Sequence, residues 1–180
     1  MNLKPLANEG LFFIETNIFP YFENNIKKRV WSCMIFNLFC LLLPWGIFLI
    51  HLKNRPFLTL DHLLIIGSFS ALIASLINEV GYSLKFWSIK PFEYRVLSML
   101  PYDLGIYTIL GVYLVYFIKI FRSPSFLIVS ITLITTLFEL VLYKFEWIIY
   151  SNGWNIFFTF LSYLLAYSLV FFFAKLTRFL

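Results

Sequence analysis

Five stretches of about twenty residues, almost free of charge, decide what this chain can become: residues 30–50, 60–80, 101–121, 125–143 and 154–176. At a rise of about 1.5 Å per residue, each is long enough to cross the roughly 30 Å hydrocarbon core of a bilayer as a helix. Inside lipid every backbone N–H and C=O must find its partner within the protein, which an apolar run of this length achieves as a helix. The prediction is an all-α fold, an integral membrane bundle of five transmembrane helices. Composition agrees. The chain is 61% hydrophobic and 13% charged, with 23 phenylalanines among its 180 residues. Soluble domains lie nearer about 45–50% apolar and 25% charged, so the excess apolar surface must face lipid.

The remaining segments punctuate the spans. Residues 1–29 form an N-terminal segment, read either as an interfacial helix lying on the membrane through Leu11, Phe12, Ile14, Ile18, Phe19 and Phe22, or as a partly ordered tail. It does not read as a signal peptide, because the apolar run Leu11–Ile14 is short and Glu9, Glu15 and Glu23 interrupt the segment. Residues 30–180 form a single five-helix transmembrane domain. Pro44 should kink its first span, and Pro101 and Asp103 make a sensible helix start for the third.

Small and polar residues mark the inward faces. Ser68, Ala71, Ser75 and Asn78 recur at helical spacing in the second span, as do Asp103, Tyr107 and Gly111 in the third. Thr132, Thr135, Thr136 and Glu139 do so in the fourth, and Asn155, Thr159, Ser162 and Ala166 in the fifth, which begins at Trp154. Small residues at this spacing let helices approach closely in lipid.

Five crossings put the termini on opposite sides. Eight of the nine acids then fall on the N-terminal side, and only Asp61 on the other. Lys and Arg divide eight to six, so their count leaves orientation open. Glu79, Asp103 and Glu139 each lie on or end a small or polar stripe, and acids near a bilayer usually turn inward to a partner or a water-filled pocket. The candidate pocket therefore comprises Glu79, Asp103, Tyr107, Glu139, Trp154 and Asn155. Interfacial ion pairs that pin loops to helices are the competing reading.

Glu79 and Trp87 have the same separation as Glu139 and Trp147. Spans two and three could thus repeat as spans four and five, related by an axis along the membrane normal, with Glu79 near Glu139. Chance similarity in text rich in Phe and Leu is the other reading. No catalytic signature, phosphate loop or metal-ligand cluster is recognisable. His51 and His62 read as interfacial, and Cys33 and Cys40 as packing residues on one helix face. No metal, cofactor or nucleic-acid partner is expected.

In the order and spacing of Pro44-Trp45, Lys53–Arg55, Glu79, Trp87, Leu100-Pro101-Tyr102-Asp103, Glu139 and Gly153-Trp154, the chain resembles a family of small, largely uncharacterised five-span membrane proteins from spore-forming Gram-positive bacteria. The likeness covers about Trp31 to Leu176. The family often has Trp-x-Tyr-Pro in its central loop and a proline after the fourth-span acid, whereas this chain has Trp87-Ser-Ile-Lys-Pro91 and Leu140. The resemblance implies a bacterial plasma membrane location, with the N-terminus outside and the C-terminus cytoplasmic. It implies no activity.

The expected function is non-catalytic: a multi-pass membrane protein whose acid- and aromatic-rich pocket binds a lipid or a partner protein, with a homo-oligomer among the partners in view. It predicts that Glu79, Asp103 and Glu139 are saturated by Arg, Lys, Tyr or backbone groups. One alternative is a membrane enzyme acting on a lipid or isoprenoid through paired carboxylates, which needs two of the three acids on one cavity. A second is a small transporter or channel component.

Overall fold

The computed structural model describes residues 9–54, 60–92 and 95–180, with backbone alone for 9–30, Asn54 and Leu97. Helix α1 runs from Glu9–Asn54. A π-helical turn, His62–Gly67, leads into α2, Ser68–Ser83, and a short strand β1, Trp87–Ile89, follows. The next rod consists of α3, Arg95–Pro101, a π-helical segment, Tyr102–Tyr107, and α4, Thr108–Phe121. Helix α5, Pro124–Lys144, strand β2, Ile148–Tyr150, and helix α6, Ile156–Leu176, complete the chain.

Five helical stretches are long and apolar enough to cross a membrane: Trp31–Lys53, His62–Ser83, Ser98–Phe121, Pro124–Lys144 and Ile156–Leu176. Half of the third is buried, against 17–28% of the others, so the third is the central rod and the rest surround it. Leu43, Leu64, Phe126, Ile134 and Phe172 remain well exposed, as hydrocarbon-facing side chains do. Two glycines let the central rod sit deep. A Cβ on Gly105 would lie 2.3 Å from the Cys40 carbonyl oxygen of α1, and one on Gly111 would lie 2.3 Å from Ser70 Oγ of α2. Side chains at these points would hold the backbones apart.

The third rod begins at Arg95, so Pro101 lies inside the helix rather than at its start. Proline there removes one intrahelical hydrogen bond. The helix widens into its π-helical segment immediately afterwards, and Thr108 Oγ1 donates to the Asp103 carbonyl at 2.7 Å. The expected surface-lying face of the N-terminal segment concerns residues 1–8 and the side chains of 9–30, which lie outside the described ones. So do Arg55, Pro56 and Glu93. His51 Nδ1 and Tyr113 Oη are 2.6 Å apart, and the His62 ring meets Phe179 edge-on.

The two short strands pair antiparallel, Trp87 with Tyr150, Ser88 with Ile149 and Ile89 with Ile148. This ribbon closes one end of the bundle. The first span starts at the same end: Phe36 packs on Trp147 at 4.5 Å, and Asn37 Nδ2 donates to the Lys90 carbonyl at 3.4 Å.

Both strands are reached by the same turn. Phe86 N donates to the Gly81 carbonyl at 2.8 Å, and Trp147 N to the Leu142 carbonyl at 2.9 Å. Lys85 and Glu146, one residue before each donor, have φ of 56° and 57°. Lys85 therefore corresponds to Glu146, and Trp87 to Ile148. In the ribbon Ser88 faces its own counterpart Ile149, the mark of a local twofold relation. The repeat expected from Glu79–Trp87 and Glu139–Trp147 is thus out of register by one: Asn78, not Glu79, corresponds to Glu139. The counterparts also exchange bulk. Gly81 with Trp87 in one unit answers to Leu142 with Ile148 in the other.

Candidate functional site

Beneath the ribbon lies a cavity of about 60 Å³, walled by α2, α5, α6 and the π-helical segment before α4. A water occupies roughly 10–15 Å³ of such space, so there is room for a handful of non-hydrogen atoms. Its walls are mainly apolar and aromatic, including Ile77, Phe138, Leu142, Trp87 and Trp154. Glu139 carries the only formal charge in the wall among the described residues.

Glu139 lies on α5, one turn short of its end at Lys144. Two elements bring three hydroxyls to it. Tyr150 of β2 donates to Oε1 at 2.6 Å, and Tyr163 of α6 donates to Oε2. Thr159 of α6 lies 3.3 Å from Oε1 and 3.1 Å from Tyr150 Oη, so its single proton serves one of the two. Because Tyr163 gives its proton to Glu139, the 2.6 Å contact between Tyr107 and Tyr163 hydroxyls has Tyr107 as donor. Trp154 Nε1 donates to Thr159 Oγ1 at 2.9 Å. Burial, and then the neighbouring Glu139 carboxylate, push the Tyr150 phenol above its ordinary range, so it remains a donor. Among the described residues, the Glu139 carboxyl group is held by neutral hydroxyls alone.

Of the six candidate residues, Tyr107, Glu139 and Trp154 line this cavity. The other three stand apart, each for a local reason. Asp103 is buried and its carboxylate is turned to α2: Ser75 Oγ donates to Oδ2 at 2.9 Å and Asn78 Nδ2 to Oδ1 at 2.6 Å. Its side chain is turned to those partners and forms no part of the cavity wall. Glu79 is 63% exposed and paired with Arg95, whose guanidinium also lies over the Tyr82 ring. Asn155 caps α6, accepting from Phe157 N at 3.0 Å and Phe158 N at 3.4 Å. Glu79 and Asn155 therefore do interfacial and capping work.

Tyr150, Tyr163, Trp87 and Tyr102 join the site without having been singled out for it. Tyr163 was within reach of sequence reasoning, lying one helical turn beyond Thr159 on the polar stripe of α6. Tyr150 depends on a three-residue strand pairing across the chain, which no local pattern signals.

Comparison with known proteins finds no matching family model, no matching curated protein and no matching solved structure.

Proposed function

We propose that this chain is a non-catalytic, multi-pass protein of a bacterial plasma membrane, N-terminus outside and C-terminus cytoplasmic, that binds a lipid in the cavity beside Glu139. One observation carries the reading: a carboxylate within a membrane span, satisfied by hydroxyls, stands in the wall of an otherwise apolar and aromatic cavity. Such walls suit an apolar body with a small polar end. The location and orientation rest on the family resemblance. Acid–base chemistry by paired carboxylates is disfavoured, since Asp103 is turned to Ser75 and Asn78 and Glu79 to Arg95, and neither lines the cavity with Glu139. A partner protein is disfavoured because the polar groups converge inside the bundle.

The test is photolabelling in nanodiscs with a diacylglycerol bearing a photoreactive acyl chain. Labelled peptides should come from α5 and α6, and Ala166→Trp, which fills the cavity, should cut labelling at least about tenfold. Leu165→Trp, on an exposed position, should leave it unchanged. Labelling indifferent to Ala166→Trp would count against a cavity site.

A further inference from the structure

Building on the lipid-site reading, we propose that the cavity's occupant carries a primary ammonium group, and that Glu139 is its counter-ion.

The charge balance points this way. Among the described residues the cavity wall contains Glu139 but no Lys, Arg or His. Arg95 is engaged by Glu79, and Lys85 and Lys144 are exposed near the ribbon, outside the wall. A head group whose only charge is a phosphate would meet a carboxylate and no cation, a like-charge encounter in a poorly solvated place, whereas one led by an ammonium would not. An acid within a span usually has a partner of opposite sign, a backbone group or water. Here the structural partners are all neutral hydroxyls, so a cationic ligand would supply the counter-charge that favours the ionised carboxylate and complete the site.

Hydrogen-bond valence narrows the kind of cation. A carboxylate offers about four acceptor positions. Tyr150 takes one on Oε1 and Tyr163 one on Oε2, while Thr159 competes for another at 3.3 Å. At least one position is therefore left. Tyr107 gives its proton to Tyr163, and Ser162 gives its own to the Thr159 carbonyl at 2.8 Å, so both hydroxyl oxygens keep acceptor capacity toward the cavity they line. Wall groups whose own protons are already committed match a ligand rich in donors. A primary ammonium has three N–H donors, whereas a quaternary one has none. Nor do the two indoles form an open cage for a quaternary head, because Trp87 and Trp154 pack on each other at 4.7 Å. A cavity of about 60 Å³ also favours the smaller group.

Three photoreactive probes with identical acyl chains test this in nanodiscs of neutral lipid: phosphatidylethanolamine, phosphatidylcholine and diacylglycerol. Wild-type protein should label with phosphatidylethanolamine at least about tenfold more than with the other two. In Glu139→Gln, which keeps one acceptor oxygen for Tyr150 or Tyr163 and removes the charge, that preference should vanish while diacylglycerol labelling persists. Soluble ethanolamine that competes would identify a free amine as the natural source, and failure to compete would identify a lipid headgroup. Both outcomes require the wild-type preference. Equal labelling by all three probes, or preference for phosphatidylcholine, overturns the ammonium assignment and leaves the lipid site standing. No cavity labelling by any probe overturns both. The wild-type comparison remains decisive even where the variant fails to fold.

Discussion

Gly81→Leu alone should unfold the ribbon end of the bundle, and adding Trp87→Ile should restore most of the loss. A Cβ on Gly81 would lie 2.0 Å from the Trp87 ring. The indole has nowhere to retreat, being 9% exposed and packed on Trp154 at 4.7 Å. Overpacking a filled core typically costs 1–3 kcal/mol, and a leucine driven into an aromatic ring belongs at about 3 kcal/mol or above. The second unit shows how the same turn is filled otherwise, with Leu142 and Ile148 only 6% and 5% exposed. The double variant transplants that pair. Unfolding in detergent, read as a double-mutant cycle, should give a favourable coupling of about 2 kcal/mol or more. Strictly additive losses would mean that the two turns are alike in outline only.

Glu139→Leu should destabilise the protein by about 2–4 kcal/mol, and Glu139→Gln by much less. Leucine removes the acceptor that Tyr150 and Tyr163 both use, and one of two open to Thr159. Thr159 can fall back on Tyr150, 3.1 Å away, but buried phenols without an acceptor cost about 1–3 kcal/mol each. Glutamine keeps a carbonyl oxygen in place. The check is the unfolding midpoint of the two variants against wild type in the same detergent. Equal stability of leucine and glutamine variants would show that these hydroxyls do not depend on residue 139.

The spans were legible because lipid imposes one rule on every residue of a crossing, and some twenty apolar residues in a row obey it visibly. Helix ends were less so. Pro101 looks like a first-turn residue, yet the rod begins at Arg95, and the helix widens into a π-helical segment directly after the proline. Glu139, Tyr107 and Trp154 could be read from stripes, since helical spacing decides which side chains share a face. Asp103 shared that logic, but Ser75 and Asn78 of the neighbouring stripe absorb its carboxylate. The repeat was visible but out of register: Trp87 and Trp147 draw the eye, whereas equivalence is set by the left-handed residues Lys85 and Glu146. Such backbone conformations leave little trace when the residues adopting them are not glycine.

The most direct test is a cryo-electron microscopy map of the protein, enlarged by a rigid antibody fragment, in nanodiscs containing phosphatidylethanolamine. An elongated density should enter between α5 and α6, its head within hydrogen-bonding reach of the Glu139 carboxylate. A cavity holding only water, or Glu139 paired with a lysine or arginine of the chain itself, would contradict it.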